Sequence, residues 1–120
     1  MKAPISHAHL VKVLNKPGGE IAAQLTANDA VLIHMVMGIA GEAGELLDAI
    51  KKPTIYRKPI DRENVVEELG DLEFFMEGLR ATLGISRQET LEHNIAKLSK
   101  RYVNLAYSDE AAQNRADKEA

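Results

Sequence analysis

The chain contains no cysteine, which excludes disulfides and thiol chemistry and fits a reducing compartment. It has no excess of positive charge: 15 Lys and Arg stand against 18 Asp and Glu, a formal net charge of -3. Nucleic-acid binders are more often clearly basic, so no nucleic-acid partner is expected. The opening stretch, MKAPISHAHLVKVLNK, lacks the apolar core of a signal peptide. The longest apolar run, AVLIHMVMGIAG, is interrupted by His34 and is too short to span a bilayer. A soluble, cytoplasmic protein without a membrane partner is the expectation. No internal repeat is present, and no alternating strand pattern competes with helical spacing.

What is present is apolar spacing of three and four along most of the chain, the mark of an all-α fold. The 120 residues suit a single domain with a modest core. A short first helix is expected over residues 6–15, followed by a strong break at Lys16-Pro17-Gly18-Gly19. Residues 20–25 either add a turn or join the next element. A second helix starts around 26–29, where a hydroxyl or amide cap precedes an acid, and runs to about residue 51. The loop KKPTIYRKPID carries two prolines that should break any continuous helix. A third helix follows the N-cap candidate Asp61 and runs over residues 62–83, with Gly84 where a C-terminal glycine belongs. Ser86-x-x-Glu89 is a capping-box pattern for a fourth helix over residues 87–105. The polar tail SDEAAQNRADKEA is either a short helix or disordered when free.

Two acidic words stand out. Glu42-x-x-Glu45 lies in GEAGELLDAI, and Glu68-x-x-Asp71 lies in VVEELGDLEFF. Residues three apart are about 60° apart around a helix, so each pair projects from one face. The two pairs are equidistant from a point between Tyr56 and Arg57. An antiparallel hairpin folded there would bring them level. Four converging carboxylates repel one another unless a cation lies among them. Their hard oxygens suit Mg²⁺, with Mn²⁺ able to substitute. Acids usually decorate solvated helix faces, but these sit beside Leu46, Leu47, Val65, Val66, Leu69 and Leu72. They also sit among Gly38, Gly41, Gly44 and Gly70, where a helix-interior glycine costs about 1 kcal/mol relative to Ala. Something must approach the backbone closely there, either another helix or a ligand.

The second helix begins apolar nearly all the way round, from Ala30 to Ala40. A chain this short cannot easily surround such a helix, so a homodimer or homotetramer is expected. The bundle would then be completed by oligomerisation around the antiparallel metal-binding hairpin.

The segments GEAGELLDAI, ENVVEELGDLEFFMEGLRATLGIS and ETLEHNIAKLSKRY together resemble the MazG-like nucleoside triphosphate pyrophosphohydrolases. These belong to an all-α superfamily with dimeric dUTPases and phosphoribosyl-ATP pyrophosphohydrolases. The resemblance spans roughly residues 30–103 and rests on the family's Glu-x-x-Glu, spacer, Glu-x-x-Asp order. It implies one MazG-like domain over residues 1–120, with a core at about 26–105 and a polar tail at 106–120. It implies Glu42, Glu45, Glu68 and Asp71 as metal ligands and catalytic residues. It favours Glu68 over Glu67, which shares a face with Asp71. The implied activity is Mg²⁺-dependent cleavage of (d)NTPs between the α- and β-phosphates, releasing (d)NMP and pyrophosphate.

Phosphates also need cations. Asn94, Lys97 and Arg101 fall on one stripe of the fourth helix, and the resemblance places that stripe near substrate; an ordinary solvated basic face is the competing reading. His34 falls close to the Glu45 face and is a candidate wall of a base pocket, or a satisfied polar group. The basic loop residues Lys51, Lys52, Arg57, Lys58 and Arg62 suit solvation or helix-end charge compensation, with phosphate contact as the lesser reading. Phe74, Phe75, Tyr102 and Tyr107 belong to core or interface, with one able to stack on a base. Di-iron chemistry would need Glu-x-x-His words that are missing. The remaining alternatives are a non-catalytic helical interaction module, or a relative acting on dUTP, phosphoribosyl-ATP or a guanosine alarmone.

Overall fold

In the computed structural model, residues 3–118 are described; residues 1–2 of the opening stretch and 119–120 of the tail lie outside them. Among the described residues six α-helices follow one another: α1 (His7–Leu14), α2 (Gly18–Gln24), α3 (Ala27–Ile55), α4 (Arg62–Leu83), α5 (Arg87–Arg101) and α6 (Asp109–Asn114). A 3₁₀ turn, Ala116–Lys118, ends the described chain. No strand occurs among the described residues, and the fold is all-α.

The helix ends follow local chemistry. The Ser6 hydroxyl accepts from the His9 amide and opens α1. Thr26 and Asp29 form a reciprocal capping box at α3, with bonds of 2.9 and 3.0 Å. Asp61 accepts from the Asn64 amide at 3.1 Å and starts α4. Gly84, at φ 69, ends α4, and the Ile85 amide bonds back to the Arg80 carbonyl at 2.9 Å. Ser86 caps α5 through the Glu89 amide.

Three boundaries differ from those expected. The helix α3 runs through Pro53 to Ile55 instead of stopping near residue 51. Pro53 lies in the last turn, where its missing N–H removes a single bond and no further turns must continue past it. The loop then closes through the Lys58 amide on the Pro53 carbonyl at 2.8 Å, with Arg57 at φ 55. Residues 18–24 form a helix of their own after Pro17. At the other end, α5 stops at Arg101, and residues 102–108 turn the chain back toward it.

The helices α3 and α4 pack along their length as an antiparallel hairpin. A Cβ on Gly38 would collide with the Phe75 ring, and one on Gly78 with the Met35 sulfur. Both facing pairs are centred between Tyr56 and Arg57. So are Glu42–Asp71 and Glu45–Glu68, which fixes the register expected from the acidic words. Among the half-buried positions, one set recurs three and four apart: Leu32, Met35, Ile39, Glu42, Leu46 and Ala49 on α3, and Val65, Glu68, Leu72, Phe75 and Leu79 on α4. That is a heptad seam, and each helix places one glutamate in it. Close approach explains Gly38 and also Gly78. Gly41, Gly44 and Gly70 meet nothing within 4 Å in the chain, so helix approach within the protomer does not account for them.

Among the described residues no hydrophobic side chain is buried; Arg80 alone is, its guanidinium donating to Glu77 at 2.8 and 3.1 Å. The radius of gyration is 21.0 Å, against about 14 Å for a compact chain of this length. Val31, Val36, Met37, Leu47 and Phe74 stand exposed on the outer faces of the hairpin. Helix α5 packs on α6 and the 3₁₀ turn and not along the hairpin. By length and composition α3 is apolar enough to cross a membrane, which the interrupted run around His34 understated. Its apolar excess forms two stripes, one facing α4 and one open.

Candidate metal centre

The two seam glutamates sit where a heptad would otherwise place leucine. Packing therefore draws Glu42 and Glu68 together between the helices, and Asp71 joins them from one turn along α4. Each of the three offers a carboxylate oxygen within 4.8 Å of the others. Glu42 and Glu68 are half-buried, Asp71 is exposed, and Glu45 lies at the exposed margin. One oxygen of Glu68, Oε2, is buried with no hydrogen-bond partner. A buried acceptor left unpaired costs about 1–3 kcal/mol.

Electrostatics point the same way. The Glu68 carboxyl is held above its usual range, first by desolvation, then by a hydrogen bond shared with Glu42, then by the charges of Glu42, Glu45 and Asp71. Four acids therefore act on one another, though only three fall within the tightest cluster. An octahedral Mg²⁺ with bonds of about 2.1 Å sets its ligand oxygens about 3–4 Å apart. The three carboxylate oxygens lie within 4.8 Å of one another, a comparable separation. The orphaned Oε2, the hard oxygen donors and the mutual repulsion all fit a divalent cation.

The other candidates lie elsewhere. His34 is exposed, with its ring edge-on to Phe75 at a centroid distance of 6.1 Å; Phe75 is one turn along α4 from Asp71. Asn94, Lys97 and Arg101 share a stripe of α5 as expected, but α5 does not pack along the hairpin, so the protomer does not bring them to the acids. Asn94 is exposed and Lys97 half-buried. Arg101 is engaged by Asp117: Nε donates to Oδ1 at 2.8 Å and Nη2 to Oδ2 at 3.3 Å. Asp48 pairs loosely with Lys52 at 3.9 Å, and Glu73 and Glu77 are exposed to solvent as expected while also reaching the Arg80 guanidinium at 3.8 and 2.8 Å.

Sequence reasoning missed Asp117. Sixteen residues separate it from Arg101, across a turn with no periodic relation, so spacing carries no signal. The one available hint is a lone acid between Arg115 and Lys118 in an otherwise alanine-rich tail.

Carboxylates gathered in the seam of an antiparallel helix pair define an all-α protein with an acidic cluster that a divalent metal would suit. The family comparison narrows that class. The model of the MazG nucleotide pyrophosphohydrolase domain matches residues 32–105, and the chain belongs to that family. The matched span holds all four motif carboxylates. The family acts on nucleoside triphosphates and depends on divalent metal. Comparison with curated proteins and with solved structures gave no match.

Proposed function

We propose that this chain is a Mg²⁺-dependent pyrophosphohydrolase that cleaves (d)NTPs between the α- and β-phosphates to (d)NMP and pyrophosphate. The observation that carries the reading is the trio of Glu42, Glu68 and Asp71 in the hairpin seam, with Glu68 Oε2 buried and unpaired. These three, with Glu45 from the margin, would hold the metal, and Mn²⁺ would serve in its place. Bound there, it supplies positive charge to the phosphate chain and lowers the pKa of a coordinated water.

The chain's own groups do the rest. The heptad packing of α3 on α4 fixes the carboxylates before substrate arrives, so little reorganisation accompanies the reaction. A carboxylate of the cluster accepts the proton of the attacking water. The water oxygen bonds to the α-phosphorus, the bridging P–O bond to the β-phosphate breaks, and pyrophosphate leaves with that electron pair. His34, beside Phe75 one turn from Asp71, lines the flank where a base would lie. Broad dNTP cleavage, serving to sanitise or adjust the nucleotide pool, is the physiological reading, in the cytoplasm.

The working unit is a homodimer or homotetramer. A folded monomer of 13.2 kDa exposes about 6,400 Å², whereas this chain exposes 10028 Å². The excess, about 3,600 Å², is several times the roughly 800 Å² per partner of a standard interface. A second apolar stripe on α3 supports the same reading, because a neighbouring copy would cover it without any membrane.

The deciding experiment is pyrophosphate release from a panel of NTPs and dNTPs, with Mg²⁺ and with EDTA. Metal-dependent release from several dNTPs is expected. A single cleaved compound would replace broad sanitation with a dedicated substrate. No release from any nucleotide by the folded, metal-loaded protein would overturn the enzyme reading.

A further inference from the structure

The N-terminal segment takes no part in the hairpin. Helix α1 packs along no other helix of the protomer, and residues 3–25 are exposed throughout. The segment lies ahead of the matched family span, which begins at residue 32. An isolated helix shorter than about 12–15 residues is marginal in water, so the 8 residues of α1 need a surface to lie on. The helix has the faces to use one. Leu10, Val13 and Leu14 fall within about 100° of one another around its axis, and they are 37%, 56% and 76% exposed. His9, Lys12 and Lys16 recur at three and four beside them, and α1 itself carries no acid.

Helix α4 carries the complement on its outer face. Glu63, Glu67, Gly70, Phe74, Glu77 and Ala81 recur at four and three, and all are exposed. This is a second heptad stripe, and the protomer leaves it open. Phe74 stands at its centre, 69% exposed, beside a cleft that reaches Val31 and Met35 of α3. Gly70 meets nothing within 4 Å, which leaves room for another helix to approach the backbone. Glu77 is engaged by Arg80. Among the described residues, Glu63 and Glu67 have no cation within salt-bridge distance, and Lys12 and Lys16 no carboxylate. An apolar stripe ending in unpaired acids therefore stands in the same chain as an apolar helix edged by unpaired lysines.

We propose that α1 docks on this stripe of α4 in a second copy of the chain, with Leu10, Val13 and Leu14 around Phe74 and with Lys12 and Lys16 toward Glu63 and Glu67. A two-fold pair satisfies both copies at once, because each supplies the helix that covers the other's stripe. The occupant is a second copy for two reasons. The Thr26–Asp29 capping box fixes where α3 begins, and from there α1 stands clear of its own α4. The protomer also exposes far more surface than a finished monomer of its mass. The docking rests on the proposed function only for self-association, and it holds whichever nucleotide is cleaved.

The test exploits the absence of cysteine. Leu14→Cys and Phe74→Cys are made as separate full-length proteins, one of them tagged, then mixed, allowed to exchange subunits and treated with a short bismaleimide. A cross-linked pair holding one chain of each kind is expected, in a yield far above that from either variant alone. Sedimentation gives a second measurement. Lys12→Glu with Lys16→Glu is expected to weaken self-association about tenfold or more, as is Glu63→Lys with Glu67→Lys, because like charges then meet. The chain carrying all four changes should recover most of the loss, and that rescue separates matched charges from a general loss of structure. No mixed cross-link in an oligomeric wild type, or no rescue, overturns the docking and leaves self-association standing. A link inside single chains, formed by the Leu14→Cys/Phe74→Cys double variant diluted in excess wild type, means that α1 covers its own hairpin and overturns the exchange. A wild type that sediments as a monomer overturns docking and self-association together, while pyrophosphate release by that monomer would leave the proposed reaction in place.

Discussion

The hairpin and the C-terminal arm formed by α5 and the tail differ in how each handles charge. The hairpin draws like charges together: Glu42 and Glu68 sit half-buried in a seam whose other members are mostly apolar. The arm pairs opposite charges, Arg101 with Asp117, and shields both from solvent. The first arrangement is unstable by itself and is made stable by something added. The second is complete as it stands and serves to hold a segment in place. An unsatisfied cluster in an otherwise regular seam therefore reads as function, and a satisfied pair at a chain end reads as architecture.

Glu68→Gln tests the hairpin side of that contrast most severely. Removing one ligand charge is expected to lower pyrophosphate release by about a thousandfold or more. In metal-free protein the same change relieves repulsion among Glu42, Glu45 and Asp71, so the melting temperature should hold or rise. The gain in melting temperature on adding Mg²⁺ should disappear. A substitution that lowered metal-free stability while leaving metal-induced stabilisation intact would refute the assignment.

Leu47→Glu acts on the open stripe of α3, where Leu47 is 62% exposed. On the surface of a finished monomer such a change costs little, about 0.5 kcal/mol or less. In an assembly it buries a charge at an apolar contact. Light scattering is expected to show dissociation, with helicity falling in parallel because no hydrophobic side chain is buried among the described residues of the lone protomer. An unchanged elution mass and melting temperature would assign the exposed stripe to the monomer's own surface.

Gly38→Ala probes how tightly the seam is closed. The added methyl would meet the Phe75 ring, and overpacking of this kind costs about 1–3 kcal/mol. Urea unfolding should show the loss, and Phe75→Leu should restore part of it by making room. The helix propensity of alanine favours the substitution by about 1 kcal/mol, so a net gain in stability would mean the helices are further apart than described.

Much of this was legible because it is periodic. The capping residues Thr26, Asp61, Gly84 and Ser86 announce themselves locally, and the helices begin or end there. The acidic words are equidistant from one loop, so the hairpin register followed from counting. Periodicity fails where the chain reverses. Pro53 was expected to stop a helix that in fact had only one more turn to make. The partner of Arg101 lies across an irregular turn, and no spacing rule reaches across it. The outer stripe of α3 was legible as excess hydrophobicity. What covers it is not written in the spacing of one chain.

The smallest expected effect concerns the arm. Arg101 holds the Asp117 carboxyl below its ordinary value of 3.8, through the hydrogen-bonded pair first and charge second, with Lys97 adding to it. A carboxylate with a depressed folded-state pKa stabilises the docked tail fully above the unfolded value. That contribution is lost as pH falls below 3.8 and through the lower folded value. Amide protection factors over residues 109–118, taken relative to intrinsic exchange at each pH, should therefore fall on acidification in that window, while the α3–α4 amides change for reasons of their own carboxylates. In Asp117→Asn the tail amides should already exchange fast at neutral pH and lose this acid step. Tail exchange that is slow in the variant, or protection that is lost well above pH 4 in the wild type, would show that something other than this pair holds the tail, and the contrast between a self-sufficient arm and a metal-requiring hairpin would fall.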